Sequence, residues 1–325
     1  MTTQMTLIEA TQAGLVEEMR RDPTIWVLGE DLREGGVRLQ YRGFLDEFGD
    51  ERVVSTPISE AMIMAVGMGA AMTGTRPVIE IRAADFVLCA MDELINQIAK
   101  ARYMFGGQTN MPVVIRLAHG LNGFAAAQHS QSHEAWFVHT PGLVVVAPAT
   151  AKDAKGLMKA AVRCDDPVVF FEPKSLWATI EDLSGDDELV PIGKASLARQ
   201  GADVTLVTWS TTLPAALAAA EQAGNEGISV EVVDLRTLWP WDTEAVLDSV
   251  RRTGRLLVAH EAVKVGGFGA EICAVVAEML GGQLKSPVAR VGAPRIPVPY
   301  SPPLEAVYKV TEEILIREIR RVMTH

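Results

Sequence analysis

The stretch STPISEAMIMAVGMGAAMTGTRPVIEIRA (residues 55–83) joins a helical segment to a strand, and this pair indicates the fold class. Residues 61–75 carry no charged side chain, whereas a helix on a protein surface normally carries a polar stripe. Residues 77–83 form a short run, rich in β-branched residues, which is typical of a parallel strand covered on both faces. The stretch therefore predicts an α/β structure in which an apolar helix precedes a buried strand.

The same alternation continues on both sides of this stretch. Helix-like segments separate four further runs with the composition of buried strands, which are residues 24–31, 112–118, 143–149 and 167–173. An acidic, turn-forming segment follows, and the alternation then resumes with strand-like runs at residues 203–210, 229–236 and 255–261. We predict two α/β domains over residues 1–180 and 193–325, joined by an acidic linker over residues 181–192.

Composition excludes several classes of function. The chain has 41 acidic and 30 basic residues and a formal charge of -11, whereas a nucleic-acid-binding surface needs clustered Lys and Arg. The first residues lack the pattern of a signal peptide, and the longest uncharged run is too short for a membrane span of about 20 residues. Cys89, Cys164 and Cys273 lack metal-binding spacing and indicate reduced thiols. We expect a cytoplasmic enzyme or enzyme subunit that binds neither nucleic acid nor membrane.

Glu60 precedes the uncharged run, and the pattern alone leaves two interpretations of it open. A carboxylate in the first helical turn, beside a capping Ser59 or Thr56, stabilises a helix by roughly 0.3–1 kcal/mol. A buried carboxylate instead costs several kcal/mol and requires a specific hydrogen-bonding partner, such as a ring nitrogen of a ligand. Gly67 and Gly69 would permit the close approach of another helix, so this element can also form a subunit contact.

Other chemical candidates are weaker. Four histidines lie close together in the sequence, which are His119, His129, His133 and His139. No HExxH motif accompanies them, so a zinc site is disfavoured. A histidine in a loop is favoured instead as a proton donor or anion partner near neutral pH. His133 and His139 are also compatible with solvated surface positions. Phe86 follows a strand and can stack on a flat ligand, although a lone Phe is more often a core residue.

Phosphate-binding motifs are incomplete or missing from the sequence. The glycines of GGFGAEI (residues 266–272) lack the third glycine of the dinucleotide fingerprint, which disfavours an NAD-dependent dehydrogenase. The sequence contains neither a P-loop nor a Gly-Asp-Gly stretch followed by Asn, which could hold a magnesium-bound diphosphate.

Taken in order, these motifs resemble a known family. VVSTPISEA, MDELINQIAKARYMFGG, AAQHSQSHEAWFVHTPGL, DDPVVFFEPK and DLRTLWPWD are similar to motifs in the beta subunit of the thiamine diphosphate-dependent dehydrogenase component of 2-oxo acid dehydrogenase complexes. The resemblance covers nearly the whole chain, and RYMFGG and AAAQHSQS are closest to acetoin dehydrogenase beta subunits. It implies a transketolase-like fold, with a pyrimidine-binding domain followed by a transketolase C-terminal domain.

The resemblance also implies roles for individual residues. Glu60 matches the glutamate that hydrogen-bonds the aminopyrimidine ring and promotes the imino tautomer that activates the cofactor. Ile58 and Phe86 match apolar residues beside the pyrimidine, and His129 matches a histidine that assists substrate or lipoyl transfer. A structural potassium ion is implied at Val113, Ala161, Cys164 and Asp166, where Cys164 replaces the usual acid.

Because this chain lacks the diphosphate motif, the resemblance implies a second polypeptide. The expected partner is an alpha subunit that holds Mg²⁺ in an alpha2beta2 heterotetramer, which passes the acyl group to a lipoyl-bearing acyltransferase core. The expected substrate is acetoin, pyruvate or a branched-chain 2-oxo acid. Two alternatives remain: the C-terminal subunit of a split transketolase, and a non-catalytic assembly subunit.

Overall fold

The computed structural model describes residues 4–183 and 189–324, and the chain divides into two compact units. Unit 1 comprises the chain up to His119 together with residues 136–192, and unit 2 comprises residues 120–135 and 193 onward. Residues 120–135, which the predicted first domain includes, belong to unit 2. Residues 184–188 of the predicted linker lie outside the described residues, whereas Ile180–Asp182 forms a strand of unit 1.

Unit 1 contains the predicted alternation of strands and helices. Its strands are β1 Gln4–Thr6, β2 Ile25–Gly29, β3 Val53–Ser55, β4 Arg76–Ile81, β5 Val114–His119, β6 Val144–Val146, β7 Val168–Pro173 and β8 Ile180–Asp182. Its helices are α1 Leu7–Arg21, α2 Phe44–Phe48, α3 Glu60–Met72, α4 Ala99–Met104 and α6 Ala151–Arg163, while α5 Glu134–Val138 spans the boundary. A 3-10 helix (Ala84–Ala90) and a π-helix (Asp92–Ile98) precede α4.

The main sheet of unit 1 is parallel, with neighbouring strands in the order β6-β7-β5-β4-β2-β3. Helices α1 and α6 pack on one face, where a side chain on Gly14 would place its Cβ 2.7 Å from the Lys155 carbonyl oxygen. Helix α3 packs on the opposite face, because its Gly67 lies directly against Ile79 and near Leu28. Along their strands, Ile79 and Leu28 alternate with residues whose side chains belong to the core of the first face. The predicted α/β class is confirmed.

Helix α3 is buried on one side only in the single chain. Ile63, Met64 and Gly67 face the sheet. On the other side the apolar side chains of Met62 and Val66 are exposed, Val66 by 45%. The missing polar stripe therefore reflects an apolar outer surface, and we call this surface the outer face of α3.

A buried charged cluster lies in the core of unit 1. The Arg116 guanidinium donates to Glu172 Oε1 at 2.5 Å and to the Tyr41 hydroxyl at 2.5 Å, and that hydroxyl donates to Glu80 Oε2 at 2.8 Å. Two carboxyl groups thus share one guanidinium away from water. Burial raises the pKa of Glu80 from 4.5 to about 7, against the opposing effect of the Arg116 charge.

We expect this cluster to make the stability of unit 1 depend on pH. Because the pKa of Glu80 is raised on folding, folded chains keep a proton that unfolded chains release, so the stabilisation is complete below about pH 4.5 and is lost as the pH rises through about 7. The full effect is at most about 3 kcal/mol. Urea unfolding at pH 5 and pH 8 should show a smaller pH difference for Glu80→Gln than for the wild type; equal differences would contradict this assignment.

Unit 2 is a second, smaller α/β structure. Its strands are β9 Ser196–Arg199, β10 Val204–Thr208, β11 Val230–Asp234, β12 Thr237–Trp239, β13 Leu256–Val263 and β14 Ala289–Ala293. Its helices are α7 Leu213–Asn225, α8 Thr243–Thr253, α9 Gly269–Leu280, α10 Pro302–Tyr308 and α11 Glu312–Met323. The sheet order is β14-β13-β10-β11-β9, in which β9 runs antiparallel at the edge and the other pairs are parallel. Within the described part of the chain, no helix has both the length and the apolar character to cross a membrane.

Candidate active site

Three candidate side chains follow neighbouring strands at one edge of the unit 1 sheet. Ile58 and Glu60 follow β3, and Phe86 follows β4, while β2 lies between these two strands. All three strands are parallel, so their carboxyl ends meet at the same edge, which is where open α/β sheets bind ligands. Ile58, Glu60 and Phe86 therefore all lie at the same edge of the sheet.

Glu60 is half-buried at the first position of α3. The two predicted capping side chains are not used: Ser59 makes no capping hydrogen bond, and the Thr56 hydroxyl is buried without a hydrogen-bond partner. Helix α1 shows the contrasting case, in which the Glu9 carboxylate accepts from Thr6 N–H at 2.8 Å in a complete capping box. Glu60 has no such local bonding, which favours its interpretation as a ligand-binding acid.

Glu30 is a further member of this edge that the sequence analysis missed. It comes directly after β2 and is 8% exposed. Burial raises its pKa, and the negative charge of Glu60 raises it further. The available signal was the acidic pair Glu30–Asp31 immediately after a buried strand. Two carboxyl groups therefore lie at this edge, which suits a ligand that presents a cationic or N–H donor.

Apolar surface accompanies the two carboxyl groups. The Ile58 side chain is 76% exposed two residues before Glu60, although an aliphatic residue gains from burial. Phe86 is half-buried in the 3-10 helix after β4. A carboxylate acceptor beside exposed apolar side chains suits a flat heteroaromatic ring with a nitrogen to be recognised, which is the chemistry of an aminopyrimidine.

The four neighbouring histidines of the sequence are divided between the two units and differ in burial. His129 is exposed and belongs to unit 2 with residues 120–135, whereas His119 ends β5 and packs edge-on against Phe171 at 5.1 Å in unit 1. His139 is exposed, but His133 is buried, so its interpretation as a solvated surface residue is wrong. Among the described residues, no group of three or more His, Cys, Asp or Glu could hold a metal ion.

The residues of the predicted potassium site lie near the opposite edge of the unit 1 sheet. The Val113 carbonyl accepts from Val168 N–H at 2.9 Å, and the Ala161 carbonyl accepts from Cys164 N–H at 3.1 Å. Arginines donate to the other two groups: Arg76 Nη1 to the Cys164 carbonyl at 2.9 Å, and Arg102 Nη1 to Asp166 Oδ1 at 2.5 Å. Two of the four oxygen positions thus already face a guanidinium, and potassium binding stays a prediction.

The glycines of GGFGAEI have a packing role in unit 2. A Cβ on Gly267 or Gly269 would lie within 3 Å of the ring of His260. This ring is buried and stacks on Trp209 with centroids 5.1 Å apart. Burial lowers the pKa of His260 to about 4, so the ring is neutral. These glycines make room for a buried imidazole.

Comparison with known proteins agrees with this geometry. Two family models match the chain: "Transketolase, pyrimidine binding domain" over residues 3–179 and "Transketolase, C-terminal domain" over residues 193–314. The 2-oxoisovalerate dehydrogenase subunit beta of Bacillus subtilis is 42% identical, with 95% of both chains covered. The pyruvate dehydrogenase E1 component subunit beta of Rickettsia conorii is 40% identical, with 98% of both chains covered.

A solved structure extends the comparison to three dimensions. A split-gene transketolase, described as an inactive beta4 tetramer, superposes with a TM-score of 0.80 at 25% identity, covering 98% of both chains. The predicted transketolase-like fold is thereby confirmed. The chain belongs to the family of 2-oxo acid dehydrogenase beta subunits, which combine a transketolase pyrimidine-binding domain with a transketolase C-terminal domain.

Proposed function

We propose that this chain is the beta subunit of a thiamine diphosphate-dependent dehydrogenase that cleaves the carbon–carbon bond beside a carbonyl group and passes the acyl group to lipoamide. The observation that carries the proposal is the edge of the unit 1 sheet, where Glu60 lies at the head of α3, interacts with Glu30 and is accompanied by Ile58 and Phe86. The relatives named after 2-oxo acid dehydrogenases support the class of reaction.

The residues at this edge fit the pyrimidine end of the cofactor. When bound, thiamine diphosphate supplies the nucleophilic carbon and the electron sink for the bond cleavage. Glu60 would accept a hydrogen bond from the ring nitrogen of the pyrimidine and so favour the tautomer in which the exocyclic amino group has lost a proton. Glu30 would add negative charge beside it, and Ile58 and Phe86 would exclude water from the ring. His129 assists the later proton or acyl transfer.

A partner subunit completes the protein in this proposal. The outer face of α3 leaves Met62, Val66 and Met72 exposed, and a second exposed apolar group lies at the C-terminal end of α4, at Tyr103, Met104 and Phe105. Surfaces of this kind commonly mark protein–protein contacts. We assign them to an alpha2beta2 heterotetramer whose alpha subunit holds the diphosphate and Mg²⁺. The lipoyl-bearing acyltransferase core, the bound potassium and the cytoplasmic location stay predictions.

Calorimetry with thiamine diphosphate and Mg²⁺ tests the proposal directly. We expect no measurable binding to the isolated chain, because its sequence lacks the diphosphate motif, and saturable binding to the chain assembled with its alpha partner. The control is the same titration of the assembled protein without Mg²⁺, in which binding of thiamine diphosphate should be weaker. An assembled pair that binds no thiamine diphosphate would refute the proposal and favour the non-catalytic assembly subunit.

The acyl substrate is decided by a second assay. RYMFGG and AAAQHSQS favour acetoin, whereas the named relatives act on pyruvate or 2-oxoisovalerate. We propose a 2-oxo acid or acetoin as the substrate, and dye reduction by the assembled pair with acetoin, pyruvate and branched-chain 2-oxo acids ranks these candidates. The substrate with the highest kcat/KM identifies the physiological class.

The split transketolase is the second candidate function, and the solved structure with a TM-score of 0.80 supports it. The higher identity to dehydrogenase subunits, 42% against 25%, favours the dehydrogenase. Ketose phosphates offered as donors to the assembled pair separate the two functions, because a transketolase would transfer their two-carbon unit and a dehydrogenase would not.

A further inference from the structure

Residues 120–135, which we call the His129 segment, are held by few hydrogen bonds between their own backbone groups. Gly120 N–H donates to the Gln131 carbonyl at 3.1 Å, and His129 N–H donates to the Ala126 carbonyl at a long 3.5 Å. Phe124 and Ala126 adopt left-handed backbone angles, with φ of 63° and 59°. Non-glycine residues hold such angles where surrounding groups impose them.

Glu261 of β13 contacts both ends of this segment. Its Oε1 atom accepts from Leu121 N–H at 3.0 Å and from the Ser132 hydroxyl at 3.1 Å. A side chain at position 120 would collide with the same oxygen, which explains why Gly120 occurs there with a φ of 81°. One carboxylate therefore joins the beginning of the segment to a residue eleven positions later.

Glu305 of α10 holds the middle of the segment. Its Oε2 atom accepts from Phe124 N–H at 2.7 Å, and its side chain is fully buried. Lys309 Nζ lies 3.3 Å from Oε1 and offsets part of the charge. Leu121 adds apolar contact, because it clusters with Ala293, Val298 and Tyr308. Hydrogen bonds from N–H groups to a carboxylate are stronger than neutral ones.

Glu134 joins the end of the segment to the buried residues Trp209 and His260 of unit 2. Its Oε1 atom accepts from Trp209 Nε1 at 3.1 Å, and Trp209 stacks on the buried ring of His260. Burial raises the pKa of Glu134 to about 7. Burial and the negative charges of Glu261 and Glu134 together raise the pKa of Tyr308 to about 12.

We propose that Glu261 and Glu305 are positioning residues that fix His129 by clamping its segment to β13 and α10. This inference rests on the proposed function, in which His129 assists proton or acyl transfer. The clamp makes the location of His129 a property of unit 2, although the preceding strand β5 belongs to unit 1.

Hydrogen–deuterium exchange and kinetics of the assembled heterotetramer test the clamp. Glu261→Ala and Glu305→Ala should increase exchange at Leu121 and Phe124 and reduce kcat by about tenfold to a hundredfold, with an unchanged KM for thiamine diphosphate, because the displaced group is not a cofactor ligand. The corresponding Gln variants retain an oxygen acceptor and should recover most of kcat. Ser132→Ala is a milder variant that loses one of the two bonds to Glu261.

Glu278→Ala, on the exposed side of α9, is the matched control and should leave exchange and kcat unchanged. Unchanged exchange at Leu121 and Phe124 in both Ala variants would overturn the clamp, even if thiamine diphosphate binding is normal. The positioning role would be overturned if the Ala variants of Glu261 and Glu305 show increased exchange but keep the wild-type kcat, while His129→Ala inactivates the enzyme. If His129→Ala keeps full kcat, the role of His129 in the proposed function fails and the positioning role fails with it.

Discussion

Replacement of Glu60 by Gln should reduce the turnover of the assembled enzyme by about 10²–10⁴-fold, the usual contribution of a group that controls proton transfer. A neutral amide preserves the shape of the side chain but cannot carry the charge that favours the reactive proton arrangement of the pyrimidine. Binding of thiamine diphosphate should weaken far less than kcat. The measurement is steady-state dye reduction by the reconstituted heterotetramer, with cofactor affinity measured separately.

Glu9→Gln is the matched control for this experiment. Both residues lie in the first turn of a helix, but Glu9 is engaged in the capping box of α1 and Glu60 has no capping partner. Glu9→Gln should therefore leave turnover unchanged. Near-normal turnover of Glu60→Gln would return Glu60 to the role of a helix-start carboxylate.

Arg116→Met should destabilise unit 1 by about 3–5 kcal/mol, since removing one partner of a buried ion pair leaves an uncompensated charge. Arg116 is 1% exposed, and it contacts Glu172, Glu80 and Tyr41 together. Urea unfolding of the purified chain measures the loss. The double variant Arg116→Met with Glu172→Gln should recover part of it, because the second change removes the isolated carboxylate.

Arg20→Met provides the control for Arg116→Met. Arg20 pairs with Glu47 at 2.5 Å, but its side chain is 60% exposed, so water replaces the lost contact. Its unfolding midpoint should match that of the wild type. An equal effect of the two substitutions would show that the buried cluster has no special energetic role.

The sequence predicted the strands of unit 1 well because parallel strands are apolar on both faces. Such a strand can be recognised from its own residues, without knowing which strands lie beside it. The limits of the helix that follows Glu60 were also close: the structure begins it at that residue and ends it at Met72. Its burial was not predictable, because an uncharged run looks the same whether a sheet or another subunit covers it. The role of Glu60 in binding a ligand stays a prediction.

Residues whose environment depends on distant parts of the chain escaped the sequence analysis. Glu30 becomes part of the site because β2 lies between β3 and β4, which is a property of strand order. His133 looked solvated because its neighbours are small and polar, but the segment folds so that it is buried. Glu261 and Glu305 lie more than 120 positions after His129 in the chain, and no spacing rule connects them to it.

The apolar outer face of α3 has a consequence for how the protein must be produced in the cell. A chain synthesised without its partner exposes Met62, Val66 and Met72 to the solvent, together with Ile58. Such a surface is a substrate for chaperones and a nucleus for precipitation. Balanced synthesis of the two polypeptides would keep this surface covered from the start, so recombinant yield should rise sharply when the partner gene is expressed from the same transcript.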